Sequence, residues 1–397
     1  MRVALHWVQI ESGGVDSYLL TFLKNWPDQS DQFLLLCNSD NMGAERIAQE
    51  LKQFGVELAE FRAAGVKKSR VKSLFKFLFF PIYFFFLKLE AKRELQKHGP
   101  FDALIVQNGC YPGSWQSLAA LWAAYELNMP KRMLVIHHGA LHNNIIRNFG
   151  EFLVDHMIHK WATDIVAVSR ATRQTLIDYR GFDPYINPIR VIHNGVDKLA
   201  INEHESPSLR ERFKIKENQI LLGIVGRIER YKGHEDLLLA LDNMGDDEKR
   251  RFTVLFIGSG KNDEIERLKQ MSEQLDLRDN IIFTGYLPEK PVCFIAQLDI
   301  MLMITKDFEG FGLTIAEAML AKTPVIATAV GAVPEFVNEN IASLIPPESP
   351  ADICDVLLEY IVDQKKFTDM AIKAEKHIQK YSGKKMRREY HRLLHLH

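Results

Sequence analysis

Two short stretches carry residue types that could grip an anion and a polyol. The first, KDFEGFGLTIAEAMLAKTPVIAT, spans residues 306–328. Gly310 and Gly312 bracket a turn into a helix expected to begin near Leu313, and glycine there lets backbone N–H groups approach a ligand closely. The partial positive charge of a helix N-terminus suits a diphosphate. Glu309 sits on the loop and Glu317 lies further along the helix, so the two can meet different parts of one ligand. A carboxylate accepts two hydroxyl protons at once, as a ribose diol or a hexose offers. A solvated helix-face glutamate is the ordinary alternative, but Glu317 is flanked by Ile315, Ala316, Ala318 and Met319, with little other polarity nearby. The second stretch, GRIERYKG at 226–233, places Arg227 and Lys232 after an apolar run. Arg forks two oxygens and Lys acts as a point charge, so the pair can converge on one anion; two surface cations are the alternative.

The positions of these residues require strands that end just before them. Short runs rich in Val, Ile and Leu alternate with helical stretches: Val3 to Ile10, Phe33 to Cys37, Ala103 to Val106, Met133 to Ile136, Ile165 to Val168 and Ile189 to Ile192. A second series follows with Ile220 to Val225, Thr253 to Ile257, Ile281 to Phe283, Ile300 to Met303 and Pro324 to Ala327. This alternation predicts two α/β domains, each with a parallel sheet covered on both faces. Ligands of such sheets bind beyond the carboxyl ends of the strands, where both stretches fall. The turn Asn194-Gly195 and the polar run Glu203 to Ser208 put the boundary near residue 198. Residues 1–198 and 199–378 are therefore the expected domains, with 379–397 containing a C-terminal helix from Gly383 to Leu394 that returns to the first domain.

The E-G-F-G-L-T-x-x-E-A-M stretch, with seven residues between Glu309 and Glu317, resembles the signature of the family 4, or group 1, retaining glycosyltransferases of the GT-B fold. The resemblance implies two Rossmann-like domains facing across a cleft, with Glu317 holding the ribose hydroxyls of a donor nucleotide and Glu309 contacting the transferred sugar. By the same resemblance, Arg227 and Lys232 bind the donor diphosphate and stabilise the leaving group, and Gly310, Phe311, Gly312, Leu313 and Thr314 line the donor. Gly258, Gly260 and Gly285 are similar to family glycines at strand ends, and Tyr286-Leu287 would meet the base through backbone groups. In the first domain Gly13-Gly14 occupies the family's glycine-rich loop. The family's active-site histidine falls at His137 or His138, and its usual place before a small residue favours His138. A histidine merely packed at a strand end is the alternative. Near the domain junction VIHNGVD also resembles a family stretch, with His193 where proline is usual.

The implied function is transfer of a hexose or related sugar from a nucleotide-diphosphate sugar, of UDP or GDP type, to a hydroxyl of a glycan or lipid-linked acceptor, as in surface-polysaccharide or glycolipid synthesis. No metal or other cofactor is expected, because two fixed cations and a helix N-terminus can offset the developing charge. Rival readings are a GT-B sugar phosphorylase or nucleotide-sugar epimerase, and a non-catalytic membrane adaptor.

Composition narrows the classes. The 397 residues exceed a single core's usual range, and a formal net charge of -1 argues against a nucleic-acid partner. Cys37, Cys110, Cys293 and Cys354 lack C-x-x-C spacing and read as buried, reduced thiols of a cytosolic protein. The N-terminus shows no signal-peptide cleavage pattern and reads as a first strand.

Residues 66–99, VKKSRVKSLFKFLFFPIYFFFLKLEAKRELQKHG, depart from this background. A Phe- and Leu-rich core from Leu74 to Leu89 is flanked by Lys67, Lys68, Arg70, Lys72 and Lys76 before and Lys88, Lys92 and Arg93 after. The run is too short and too interrupted to span a bilayer. It reads either as a core helix or as a segment lying on an anionic membrane, and the crowding of Phe79, Phe80, Phe84, Phe85 and Phe86 favours the membrane. A peripheral location at the inner face of the cytoplasmic membrane follows.

Overall fold

A computed structural model describes residues 1–11, 13–24, 26–61, 80–142, 148–197 and 207–396. The chain divides into two compact units, Met1–Gly195 with Gly383–His397, and Val196–Ser382. The expected boundary at residue 198 lies outside the described residues, as do positions 66–79 of the aromatic segment.

The first unit carries a seven-stranded parallel sheet in the order β3-β2-β1-β4-β5-β6-β7. Its strands are β1 (Arg2–Trp7), β2 (Gln32–Asn38), β3 (Glu57–Phe61), β4 (Ala103–Asn108), β5 (Lys131–Ile136), β6 (Asp164–Ala167) and β7 (Ile189–Val191). The second unit carries six, in the order β10-β9-β8-β11-β12-β13. These are β8 (Ile220–Val225), β9 (Phe252–Ile257), β10 (Ile281–Gly285), β11 (Ile300–Met303), β12 (Val325–Thr328) and β13 (Ser343–Ile345). Central strands such as β4, β9 and β11 are buried along their whole length, because helices cover both faces. Leu104, Val106, Leu118 and Leu134 belong to one core; Leu222, Val254, Leu302 and Phe367 belong to the other.

Several expected bounds shift. β1 ends at Trp7 rather than Ile10, because the backbone beyond it bonds elsewhere: Gln9 N donates to Asn38 Oδ1 (3.1 Å) and Ile10 O accepts from Met42 N (3.0 Å). β3 and β13 were not anticipated. β3, ELAEF, is an edge strand paired, among the described residues, only with β2, and its two glutamates break the apolar run. β13 has only three residues. Of the four thiols, Cys37 and Cys354 are buried, but Cys110 and Cys293 are half-buried.

Three helices of the first unit matter below: α1 (Gly14–Leu23), α2 (Phe80–His98) and α3 (Trp115–Glu126). α2 packs on α3 through Phe84, which is 4% exposed and stacks on Trp122 (centroids 5.7 Å) and Trp161 (6.0 Å). Phe84 is therefore a core residue and not part of an outward face. Ile82 and Phe86, one turn apart, are exposed. Lys88 is buried over the rings of Phe85 and Trp122, and both it and Lys92 bind Glu126 at 2.8 Å. Of the three cations expected to flank the apolar run on that side, two are thus already neutralised within the unit.

The C-terminal helix α4 (Gly383–His395) belongs to the first unit. Tyr390 packs on Tyr18 and Phe22, and Arg387 Nη1 donates to Thr21 O at 2.6 Å.

Candidate active site

In the second unit the chain runs outward from β8 through β9 to β10 on one side, and from β11 through β12 to β13 on the other. The reversal lies between β8 and β11, which pair directly, Leu222 opposite Ile300. Loops leaving adjacent strands in opposite directions open a crevice at their carboxyl ends. The 226–233 and 306–314 stretches leave those two strands.

Backbone bonds join the loops into one floor. Ile228 N donates to Ser259 O (2.8 Å), Gly258 N to Gly285 O (3.0 Å) and Lys306 N to Tyr231 O (2.7 Å). Glu309 is fixed from behind, because its O accepts from Ala332 N at 2.9 Å while Gly331 passes beneath. A Cβ on Gly331 would lie 2.3 Å from Glu309 O and 2.6 Å from Glu309 N, and its φ of +52 disfavours a side chain. Gly312, left-handed at φ 88, caps helix α5 (Leu313–Ala321), whose first N–H groups have no intrahelical acceptor.

Side chains converge on this floor. Lys232 Nζ lies 2.9 Å from Glu309 Oε2, and both are half-buried. Arg227 Nη1 is 3.2 Å from Glu229 Oε1 and remains half-exposed. Glu317 is half-buried on α5 and makes no ion pair or hydrogen bond with the described residues. Desolvation pushes its carboxyl up to about 8. An unpaired carboxylate at such a place is a functional-site candidate on physical grounds.

Some sequence candidates can offer a ligand only their backbone. Phe311 is 2% exposed and stacks on Phe336 at 4.8 Å, and Leu287 is buried, so their side chains are core. Tyr286 is exposed, Leu313 and Thr314 are half-buried, and Gly310 is buried. Four residues went unassigned in the sequence. Glu229 pairs with Arg227, and Tyr231 has its phenol pushed up by burial and by its bond to Glu229. Asp236 anchors Lys306 at 2.8 Å. Only the spacing of Glu229 and Tyr231 inside GRIERYKG hinted at them.

In the first unit the reversal lies between β1 and β4, and Gly13 follows β1. The buried Asp16 accepts from Gly13 N (3.3 Å) and from Gln9 Nε2, pinning this loop to the start of α1. Among the described residues beyond its chain neighbours, no atom lies within 4 Å of where a Gly13 side chain would begin. His137 Nε2 meets Gln107 Oε1 at 2.7 Å and its ring packs on the edge of Tyr18 at 4.6 Å. Burial lowers its pKa to about 3, which keeps it neutral. His138 is half-buried.

Two family descriptions divide the chain at the same place. "Glycosyltransferase Family 4" matches residues 12–198, and "Glycosyl transferases group 1" matches 205–377. The chain belongs to the family 4, group 1 glycosyltransferases. Among curated relatives, this chain is 27% identical over 229 residues to a D-inositol 3-phosphate glycosyltransferase of Corynebacterium jeikeium, covering 55% of this chain and 54% of that one. It is 33% identical over 151 residues to a 2-deoxystreptamine glucosyltransferase of Streptomyces kanamyceticus, covering 38% of each. The chain spans about half the length, or less, of these relatives. Among solved structures, Anabaena HepE in complex with UDP-glucose superposes with a TM-score of 0.76 at 20% identity over 99% of both chains. A Rickettsia africae glycosyltransferase gives 0.76 at 17% identity, covering 99% of this chain and 97% of that one. The fold is GT-B, two parallel-sheet α/β domains.

Proposed function

We propose that the protein is a retaining glycosyltransferase that moves a hexose or related sugar from a nucleotide-diphosphate sugar to an acceptor hydroxyl. The observation that carries this reading is the Lys232–Glu309 pair, 2.9 Å apart at the β8/β11 reversal beside the N-terminus of α5, with unpaired Glu317 on the same helix. In this assignment Glu317 accepts the ribose hydroxyls, and the α5 N–H groups, Arg227 and Lys232 hold the diphosphate. Glu309 meets the sugar. As the bond from the anomeric carbon to the diphosphate breaks, its electron pair passes to the leaving oxygen, where Lys232 and Arg227 offset the new charge without a metal. The acceptor oxygen attacks from the same face and its proton goes to the departing diphosphate. His138, which directly precedes Gly139, is the candidate on the acceptor side.

UDP-sugars are the first donors to test, because structurally similar HepE is known in complex with UDP-glucose. Glycan or lipid-linked hydroxyls are the proposed acceptors, in surface-polysaccharide or glycolipid synthesis. No helix among the described residues is long and apolar enough to cross a membrane. The exposed Ile82 and Phe86 support peripheral attachment of the first unit to a membrane surface, there by apolar contact more than by charge. Incubation with a panel of nucleotide sugars and membrane extract, read by mass spectrometry, tests the assignment. Glycoside plus free nucleoside diphosphate supports it. Sugar phosphate or a rearranged nucleotide sugar would instead indicate a phosphorylase or an epimerase, and no turnover a non-catalytic adaptor.

A further inference from the structure

Far from the sequence motifs, α4 and the loop between α1 and β2 bring four side chains with metal-ligand chemistry together. Asp28 and Asp31 lie on the loop; His391 and His395, one helical turn apart, share a face of α4. One ligand atom from each lies within 4.8 Å of the other three. We propose that these four residues form a zinc site that clamps the C-terminal helix to the first unit.

The geometry is close to what a tetrahedral ion requires. Zinc bonds of about 2.0–2.1 Å imply ligand atoms roughly 3.3 Å apart. His395 Nε2 and Asp31 Oδ2 already stand 3.0 Å apart. The widest separation closes by rotation of Asp28, His391 and His395, which are half-buried, while the buried Asp31 carboxylate stays in place. The donor set, two imidazole nitrogens and two carboxylate oxygens, fits Zn2+ better than Ca2+ or Mg2+, which take six or more oxygens.

The surroundings also hold the ligands ready. Trp26 Nε1 donates to Asp31 Oδ2 at 2.9 Å, and the Met1 ammonium engages Asp31 Oδ1 at 2.8 Å, which fixes the carboxylate as outer partners of a metal ligand do. Asp28 uses Oδ1 to accept from Ser30 N (2.8 Å) and Ser30 Oγ (2.7 Å), leaving Oδ2 for an ion. The His391 ring is oriented between Trp26 (5.8 Å) and His395 (4.2 Å). Its Nε2 is buried yet has no hydrogen-bond partner among the described residues. A buried nitrogen left unbonded is costly, and coordination would satisfy it.

Access is through a surface depression lined by Arg388, His391, Arg392, His395 and Leu396. The two arginines are exposed, so solvent and salt screen their repulsion of a cation. The clamp is structural. It joins residues 364 positions apart, Asp31 and His395, and adds to the Tyr390 and Arg387 contacts that seat the helix.

The test uses the full chain without a histidine tag, stripped with chelator and titrated with ZnCl2 by calorimetry, with Co2+ absorption as a reporter of tetrahedral coordination. The expected result is one Zn2+ per chain, an intense visible Co2+ band, and a higher melting temperature with Zn2+. His391→Gln should weaken Zn2+ binding at least about tenfold, as loss of even an outer partner does, and abolish the thermal shift. Asp28→Asn, a loop change with little burden on folding, should weaken it similarly and separates this site from casual binding by the terminal histidines. Sugar transfer should be unchanged in both variants, so failure here is distinguishable from failure of the enzymatic assignment. Absence of a stoichiometric Zn2+ heat in the unmodified chain, or unchanged affinity in both variants, would overturn the proposal.

Discussion

Replacing Glu317 by glutamine should stabilise the second unit, by an amount that depends on pH. Burial holds the carboxyl at about 8 in the folded chain, against its ordinary 4.5. Below 4.5 both states keep the proton and the two side chains cost the same. Between 4.5 and 8 the unfolded chain releases the proton while the folded chain keeps it, so stability falls as pH rises. Above 8 the folded chain ionises too and the penalty levels off. At about 1.36 kcal/mol per pH unit the full interval corresponds to roughly 5 kcal/mol. Glu317 keeps partial solvent contact, which reduces the penalty, so we expect roughly 2–3 kcal/mol at pH 8.5. Glutamine carries no such cost. For a unit of this size the gain amounts to roughly 5–10 °C in melting temperature. Differential scanning calorimetry at pH 5 and pH 8.5 reads it directly: the variants should melt nearly together at pH 5 and diverge at pH 8.5. A destabilised glutamine variant at pH 8.5, or a difference equal at the two pH values, would refute the reasoning. Such a result would mean that Glu317 is solvated or paired, and that it stores no strain for a ligand to relieve.

Lys232→Ala should lower kcat more than it raises the donor KM, because the charge it meets grows as the diphosphate leaves; steady-state kinetics with an unchanged kcat would remove that role. Gly331→Ala should cost about 1–3 kcal/mol in chemical denaturation and also reduce kcat/KM, since its Cβ would push the Glu309 backbone from 2.3 Å. Replacing exposed Ile82 and Phe86 together by serine should abolish sedimentation with anionic vesicles and leave nucleotide binding intact. Serine at Phe84, by contrast, should unfold the first unit, because that ring is buried against Trp122 and Trp161.

The strands that carry the site were legible because buried parallel strands are unbroken apolar runs. β8 and β11 coincide with the runs read from sequence, and the motifs follow them directly. β3 was hidden by its edge position, which lets Glu57 and Glu60 interrupt the pattern. The aromatic segment misled for a different reason. Phe84 looks redundant among its neighbours in sequence, and only the fold brings Trp115, Trp122 and Trp161 to its ring. Likewise Lys232 and Glu309 each read as a ligand contact, but their 2.9 Å pairing joins positions 77 apart and needs the β8/β11 crossing. The Asp28, Asp31, His391 and His395 cluster had no local signal, since its halves meet only when α4 docks.

The anomeric configuration of the product tests the central claim most directly. The purified chain would be given a UDP-sugar that it turns over, with membrane extract as acceptor source, and the new glycosidic bond examined by NMR coupling constants. Retention of the donor's configuration, with release of UDP and loss of product in Glu317→Ala and Lys232→Ala, is the expected result. Inversion at the anomeric carbon, or undiminished product from the two variants, would contradict it.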